Sequence, residues 1–334
     1  MTDFKKLSFS ELCDKLAEKK RTIIVYHIRS DADAVGSAFA LKELLTLMGI
    51  PTICACSDEV PPHLRFISEF SQGSVLLDEG LDIGHERVIS VDSASPEQLG
   101  EIYNTLRKDI DIMIDHHGEG KVYADNYIEP DAASTAEIIY KIVKEMKKRG
   151  CVYELPPRIY EYIYAGLSGD TGCFKYANVT PETHIMAAEL LREGVNAAKI
   201  NHLLFSSKSL KQIKAEGEAS RRITLYDEGR IAITTMPYSI KYSLGLTDDV
   251  MGAVIDIPRS ISGVEIAAFI RQSENTGVFR ASLRSVGDID VSRVCATFGG
   301  GGHKRAAGCT IEAQGIEDAE RKLVSAIRSY LKTM

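Results

Sequence analysis

The chain has 334 residues, of which 44% are hydrophobic and 26% charged, and its formal net charge is −7 at pH 7. This composition is that of an ordinary globular protein, and the length favours two domains over one. A protein that grips long nucleic acids generally carries a broad excess of positive charge, so the acidic balance argues against that class and favours short phosphate substrates.

Targeting signals and cysteine patterns exclude further classes. The first residues lack the apolar core of a signal peptide, and no apolar run is long enough to cross a bilayer. We therefore expect a cytoplasmic protein with no membrane partner. The seven cysteines are scattered without a Cys-x-x-Cys pair, which argues against a disulfide framework and a thiolate zinc site. Any metal must then be held by oxygen and imidazole ligands.

The N-terminal part alternates short apolar runs, which predict buried strands, with longer periodic segments, which predict helices. The strands are expected at residues 22–26, 52–55, 87–91 and 110–114, and the helices at 34–48, 133–149, 157–167, 181–192 and 197–204. This rhythm is typical of a mainly parallel sheet wrapped by helices.

A polar, lysine-rich segment without proline, residues 206–222, predicts a helical linker. It would separate an N-terminal domain over residues 1–205 from a smaller mixed α/β domain over residues 223–334. In the latter, strands are expected at 223–226, 231–235, 264–271, 278–284 and 309–312, and helices at 291–297 and 316–331. The predicted fold class is α/β.

Acidic and imidazole side chains follow the first predicted strand. In His27-x-x-x-Asp31-x-Asp33 the carboxylates lie on a strand-exit loop, where a bound cation would offset their mutual repulsion. The alternative is that Asp31 or Asp33 only caps the next helix, a role for which Ser30 competes. Capping needs one such residue, whereas the segment offers three ligands.

Further candidate ligands stand where later elements end. Asp92 and Asp115-His116-His117 follow predicted strands, and the carboxyl ends of parallel strands are where ligand crevices form. Asp92 alone could be a turn residue, and Asp170, between two glycines of a helix end, could be part of a C-terminal turn. The adjacent imidazoles suggest one metal ligand and one substrate-facing ring, with Asp115 orienting a ring.

A run of four glycines, residues 299–302, precedes His303. Such a run costs too much conformational entropy in a core element unless the backbone must approach something closely. Its amides could cradle phosphate oxygens. We expect a phosphate-binding turn in preference to a flexible linker, because Phe298 and the alanines that follow are packing residues.

Two arginines, Arg280 and Arg284, alternate with Ala281 and Leu283 and so share one face of a predicted strand. They either face solvent or bind phosphate, for which the planar guanidinium group is well suited.

These motifs, in this order, resemble the DHH phosphoesterase family with its DHH-associated C-terminal domain. They extend from His27 through Asp115-His116-His117 to the glycine run and so cover nearly the whole chain. Within the family the chain is most similar to the nanoRNase and 3′-phosphoadenosine 5′-phosphate (pAp) phosphatase branch. The resemblance implies that the first domain is catalytic and binds metal, that the second binds substrate, and that closure of the two assembles the site.

The resemblance also implies two Mn²⁺ ions, with Mg²⁺ as a substitute. His27 and Asp31 would hold one ion and Asp33, His116 and Asp170 the other, with Asp92 as the bridge. Asp92, Asp115 and His117 would act in catalysis. The substrate would contact His117, Arg280, Arg284, Ser285, Gly300, Gly301, Gly302 and His303.

The implied reaction is hydrolysis of short RNA oligonucleotides, including dinucleotides, to mononucleotides, with pAp dephosphorylation as a related activity. Hydrolysis of cyclic or linear dinucleotides such as cyclic diadenylate is an alternative. A non-catalytic nucleotide sensor is disfavoured because every ligand position is filled. A pyrophosphatase is disfavoured because its extra lysine and arginine arrangement is not evident. The direction of attack, the preferred length and base, and a homodimer are left open.

Overall fold

The computed structural model describes residues 4–68, 75–76, 84–106, 109–248 and 250–333. The chain divides into two compact units, Met1–Ser207 and Lys208–Met334. Among the described residues, none of the helices combines the length and the apolar character needed to span a membrane.

The first unit is built around a parallel sheet. Its described strands are β1 (Thr22–Val25), β2 (Thr52–Cys56), β3 (Val75–Leu76), β4 (Arg87–Val91), β5 (Ile112–Asp115) and β6 (Asp125–Ile128). They are ordered β3-β2-β1-β4-β5-β6, and neighbouring strands are parallel. The strand order reverses between β1 and β4, and such a switch point opens a crevice at the carboxyl ends of the two strands.

Helices cover this sheet. They are α1 (Phe9–Ala17), α2 (Ala32–Leu47), α3 (Arg65–Ser68), α4 (Glu101–Thr105), α5 (Thr135–Lys148), α6 (Pro157–Asp170), α7 (Pro181–Arg192) and α8 (Ala197–Asn201). Helix α2 is buried along most of its length because it packs against the sheet on one side and against α5 and α6 on the other. This contact fixes the start of α2 beside the end of α6.

The second unit contains a mixed sheet. Its described strands are β7 (Thr224–Tyr226), β8 (Ile231–Met236), β9 (Ile266–Gln272), β10 (Val278–Ser285), β11 (Gly301–His303) and β12 (Ala306–Glu312), in the order β11-β12-β10-β9-β8-β7. Strands β8 and β9 are parallel, and the other neighbours are antiparallel. The predicted α/β class, with a mainly parallel first sheet and a smaller mixed second sheet, is confirmed.

Helices α9 (Leu210–Arg221), α10 (Tyr238–Ser243), α11 (Asp256–Arg259), α12 (Val291–Ala296) and α13 (Ile316–Leu331) complete the second unit. Apolar clusters form on both faces of its sheet. Alternate residues of β9 serve the two clusters, with Ile270 in one and Phe269 in the other. This alternation follows from the two-residue period of a strand.

The segment 206–222, predicted as a linker, consists largely of α9, which is part of the second unit. Ala215 and Ala219 are buried, and the hydroxyl of Thr234 on β8 donates a hydrogen bond to the Ala219 carbonyl oxygen at 2.6 Å. Two small alanines let this polar helix pack on the sheet.

The glycine run is partly a strand and not only a turn. Its last glycines, with His303, form β11 at the edge of the second sheet, paired with β12. A Cβ on Gly300 would lie 2.5 Å from the Cβ of Cys309, and one on Gly302 would lie 2.6 Å from the carbonyl oxygen of Ala306. Gly300 and Gly302 are therefore required because their backbone lies against β12. A Cβ on Gly301 would meet open space.

Candidate metal centre

The structure brings the six expected metal ligands together at the carboxyl edge of the first sheet. Each stands at an element boundary: His27 follows β1, Asp31 and Asp33 begin α2, Asp92 follows β4, His116 follows β5, and Asp170 ends α6. The crevice at the switch point of the sheet thus collects side chains from separate parts of the sequence.

Their ligand atoms form two groups of three. His27, Asp31 and Asp92 each offer an atom within 4.8 Å of the others, as do Asp33, His116 and Asp170. A further group joins Asp92 to His116 and His117. Asp92 therefore adjoins both sets of ligands.

The distances within these groups suit a shared ion. His27 Nε2 lies 3.7 Å from both Asp31 Oδ1 and Asp92 Oδ2. His116 Nε2 lies 3.4 Å from Asp170 Oδ2 and 3.9 Å from Asp92 Oδ1. These separations exceed the roughly 2.7–2.9 Å of a charge-assisted hydrogen bond. They are shorter than the roughly 4.2 Å between opposite ligands of an ion with bonds of about 2.1 Å. The residues thus fit a divalent cation.

Backbone carbonyl groups fix the two imidazoles. His27 Nδ1 lies 2.9 Å from the Ile28 carbonyl oxygen, and His116 Nδ1 lies 3.2 Å from that of Ala132. Because a carbonyl oxygen only accepts hydrogen bonds, each Nδ1 is assigned the proton, which leaves the Nε2 lone pair for a metal. This support is typical of metal-binding histidines.

The N-terminus of α5 holds two of the carboxylates. The amides of Thr135 and Ala136 donate to Asp33 Oδ2 and Oδ1 at 2.6 and 2.8 Å. The Thr135 hydroxyl donates to Asp92 Oδ1 at 2.9 Å. The positive end of the helix dipole also favours these anions. Thr135 was not predicted as a site residue. The sequence marked a helix start at this point, but nothing linked it to Asp33, 102 residues earlier.

Asp92 has an unusual backbone conformation, with φ at 52°. Its amide still donates to the Ile114 carbonyl oxygen at 3.0 Å, so pairing with β5 continues up to this residue. The left-handed conformation costs an L-residue about 1–2 kcal/mol. Such a residue persists where its surroundings hold it, often at a functional site.

Burial and crowding raise the pKa of three of these acids. Burial, and then the charges of Asp33 and Asp31, hold the pKa of Asp92 well above its usual range. The same causes raise the pKa of Asp170 to about 8. Burial, opposed by the charge of His116, raises the pKa of Asp33 to about 6. The site therefore lacks positive charge, which a bound cation would supply.

The buried carboxylate of Asp115 holds the His117 side chain in place. Asp115 is fully buried, and its Oδ1 accepts from the His117 amide at 3.0 Å and lies 2.8 Å from His117 Nδ1. This hydrogen bond raises the pKa of His117. The ring is 46% exposed, so it is an oriented imidazole that an anionic ligand can reach.

Two expected substrate-binding residues of the second unit, Arg280 and Arg284, lie at different positions along β10 and have different neighbours. Arg284 stands opposite Ala306, which also pairs with His303, whereas Arg280 stands opposite Arg271 and Thr310. The two arginines share a face, as predicted, but lie four residues apart. The backbone of His303 is described, and its side chain lies outside the described part.

Ser285, also expected to contact substrate, is buried and adjoins Arg284 on the other face of β10. It is 4% exposed, and its hydroxyl donates to the Ile289 carbonyl oxygen at 2.6 Å. This hydrogen bond stabilises the loop that follows the strand.

Comparisons with known proteins agree with this architecture. The family model described as "DHH family, N-terminal domain" matches residues 21–167, and the model "DHHA1 domain" matches residues 231–333. A relative from Thermus thermophilus, "Bifunctional oligoribonuclease and PAP phosphatase NrnA", is 27% identical over 313 residues, which cover 92% of this chain and 89% of the relative.

Two further proteins are similar over nearly the whole chain. "Cyclic-di-AMP phosphodiesterase GdpP" from Geobacillus thermodenitrificans is 25% identical over 96% of this chain and 49% of its own length. The crystal structure of an exopolyphosphatase-related protein from Bacteroides fragilis covers 99% of this chain and 98% of its own, with 23% identity and a TM-score of 0.86. The latter similarity shows a shared fold.

Proposed function

Since the chain belongs to the DHH phosphoesterase family and is a hydrolase, we propose that it cleaves short RNA oligonucleotides to mononucleotides and converts pAp to AMP. The arrangement around Asp92 carries this proposal, because a buried carboxylate stands between two sets of hard ligands. The similarity to a bifunctional oligoribonuclease and PAP phosphatase supports the choice of substrates. A cytoplasmic location stays a prediction.

We propose that the site binds two divalent cations, which are Mn²⁺ ions for which Mg²⁺ can substitute. His27 and Asp31 would hold one, and Asp33, His116 and Asp170 the other. Asp92 would serve both, because its Oδ2 lies nearer His27 and its Oδ1 nearer His116. Bound cations of this kind supply Lewis acidity, a nucleophilic water at neutral pH and charge that stabilises an in-line phosphoryl transition state.

The protein's own groups would orient the phosphate ester. Asp115 keeps a proton on His117 Nδ1, so Nε2 is the atom left to face the substrate. With its raised pKa, His117 would donate a hydrogen bond to a non-bridging phosphate oxygen. In the second unit, Arg284 and the amides at Gly301 and Gly302 would bind the nucleotide phosphate, with His303 as a further donor. Gly300, also expected to bind phosphate, donates its amide to the Cys295 carbonyl oxygen at 2.9 Å, so it would shape the turn and leave the donation to its neighbours.

The test is an assay of the purified protein with Mn²⁺ on a labelled trinucleotide and on pAp. Mononucleotides and AMP with inorganic phosphate are the expected products, and chelation by EDTA should stop both reactions. Product from neither substrate would overturn the proposal.

Hydrolysis of cyclic or linear dinucleotides is the second candidate, favoured by the similarity to a cyclic-di-AMP phosphodiesterase. Relative kcat/KM values for cyclic diadenylate, its linear form, a trinucleotide and pAp separate the two. We expect the trinucleotide and pAp to be the better substrates. A clear preference for the cyclic form would assign the second function.

A further inference from the structure

The second unit contains a polar pocket of about 470 Å³ at the end of β10 away from Arg284. Three cationic side chains line it, namely Lys241, Arg271 and Arg280, together with the carboxylates Asp248 and Glu274. Arg284 is not part of the lining. The pocket is therefore separate from the strand edge where the glycine run lies.

The two arginines of this pocket are only loosely paired. Lys241 Nζ lies 2.9 Å from Asp248 Oδ1, but Arg280 Nη1 lies 3.4 Å from Asp248 Oδ2. Arg271 Nε lies 3.9 Å from Asp248 Oδ1 and, within the described part of the chain, is buried without a hydrogen-bond partner. Formed guanidinium–carboxylate hydrogen bonds measure about 2.7–2.9 Å. The carboxylate of Asp248 therefore does not satisfy all the N–H donors of Arg271 and Arg280, and both guanidinium groups can still donate hydrogen bonds to a ligand.

The rest of the lining indicates the kind of ligand. Gln272, Ser273, Asn275 and Thr310 offer amide and hydroxyl groups, and Val278 is the apolar exception. Such a surface suits a phosphate and its sugar better than a base. The three cationic side chains outnumber the two carboxylates by one, so the lining carries a net charge of +1, which matches the single negative charge of a phosphodiester.

We propose that this pocket binds a backbone phosphodiester of an RNA substrate, further along the chain than the nucleotide at Arg284; this inference rests on the proposed function. Arg280 and Arg284 are four residues apart on one face of β10, or roughly 13 Å. A mononucleotide held at Arg284 does not span that distance with one phosphate. The pocket therefore favours longer oligonucleotides over dinucleotides.

The experiment measures hydrolysis of a pentanucleotide and of a dinucleotide by the parent protein and by the Arg280→Ala variant. The Arg280 side chain is 60% exposed in the parent protein. The ratio of kcat/KM values, pentanucleotide over dinucleotide, should fall about tenfold. The slope of log KM against log salt for the pentanucleotide should become shallower by about 0.7. Arg321→Ala is the matched control, because Arg321 is exposed on α13, and it should change neither value. An unchanged ratio, or an equal loss on both substrates, would overturn the inference.

A second variant tests the pocket in the opposite direction. Asp248→Asn removes the carboxylate that competes with the phosphate, so KM for the pentanucleotide should fall at least about twofold. If the cluster served only to stabilise the fold, Asp248→Asn would lower the Tm without lowering KM, and the inference would be wrong.

Direct binding distinguishes failure of this inference from failure of the proposed function. Fluorescence anisotropy of a labelled pentanucleotide in EDTA measures affinity without turnover. If the parent protein hydrolyses neither RNA nor pAp, the proposed function fails. A pentanucleotide that still binds about tenfold more weakly to Arg280→Ala than to Arg321→Ala supports the pocket in that case. Equal affinity rejects it.

Discussion

Asp92 stands at the centre of the site because its two carboxylate oxygens adjoin different ligand groups. Its burial, its left-handed backbone and the hydrogen bond from Thr135 all hold it in place. A buried acid among other acids is costly unless a cation balances it. These features are consistent with the proposed role of Asp92 as a ligand shared by two cations, and they do not suit a stabilising ion pair.

We predict that Asp92→Asn lowers kcat on a trinucleotide by about 10³-fold or more, because the amide has no charge with which to hold a cation. The metal-free variant should unfold at a higher temperature than the metal-free parent, since a source of repulsion is gone. Asp14→Asn, at an exposed acid of α1, is the control. Turnover within tenfold of the parent would contradict the assignment.

We predict that Thr135 is a positioning residue, because it would act on the proposed cations only through its hydrogen bonds to Asp92 and Asp33. Thr135→Val removes the hydroxyl but keeps the amide that donates to Asp33. The cation concentration for half-maximal activity should rise about 10–100-fold, as for other groups that support metal ligands. Thr135→Ser should restore the parent value, and similar behaviour of the valine and serine variants would rule the role out.

The spatial grouping of the candidate ligands was largely predictable at the residue scale, because most of them follow apolar runs. His27, Asp92 and His116 each stand just beyond a buried strand, and sheet topology then brings them together. Thr135 was not predictable, since a helix-start threonine has no local feature that reveals a distant carboxylate. The shared face of Arg280 and Arg284 followed from strand periodicity, but their different surroundings depend on Asp248, which lies in a connection with no periodic pattern.

At the scale of elements, the contact between α2 and α6 depends on glycine. A Cβ on Gly36 would lie 2.5 Å from the Tyr162 carbonyl oxygen, and one on Gly166 would lie 2.8 Å from Asp33 Oδ1. These glycines let the two helices approach closely. As a result, the carboxylate of Asp170 at the end of α6 lies close to that of Asp33 at the start of α2.

We predict that Gly36→Ala lowers the free energy of unfolding by about 1–3 kcal/mol, the usual cost of overpacking. It should also weaken cation binding, because α6 carries Asp170. Gly217→Ala is the matched control, since a Cβ there meets nothing within 4 Å. That change should stabilise the protein by up to about 1 kcal/mol, as alanine is the better helix former. Urea unfolding measures both, and a Gly36→Ala protein as stable as the parent would contradict the packing argument.

Elements with strong apolar or helical patterns were predicted, including the edge strand β7, whereas the edge strands β6 and β11 were not. Strand β6 reads Asp-Asn-Tyr-Ile and lacks an apolar run, because only part of it is buried. Helix α1 was missed although its signal is present, with a capping box between Ser8 and Glu11 and buried Leu12 and Leu16. The pairing of the glycine run as β11 depends on contact with β12, which no local pattern encodes.

At the scale of the whole molecule, the two-unit organisation was expected from length. The division between Ser207 and Lys208 leaves α9 in the second unit, so a polar segment proved to be a packed helix. The polar composition of residues 206–222 indicated a boundary between the two units. It did not distinguish a connector from a surface helix with two buried alanines.

Global stability should depend on pH through the metal site. In the folded, metal-free protein the pKa of Asp170 is about 8 and that of Asp33 about 6, against a usual value of 3.8. The folded chain therefore binds more protons than the unfolded chain above about pH 4, so stability falls as the pH rises toward about 8. The Tm in EDTA should decline over this range, and saturating Mg²⁺ should remove the decline.

Asp170→Asn provides the control for this pH dependence, because it removes the group with the higher of the two pKa values. The decline in Tm above pH 6 should then become shallower. A metal-free parent whose Tm rises from pH 5 to pH 8 would show that these carboxylates are not held in protonated form.

The most direct test of the proposed two-cation site is anomalous diffraction from crystals soaked in Mn²⁺. We predict two manganese peaks on either side of the Asp92 carboxylate, one near His27 and Asp31 and the other near Asp33, His116 and Asp170. An absence of peaks at these side chains, or peaks only elsewhere on the protein, would contradict it.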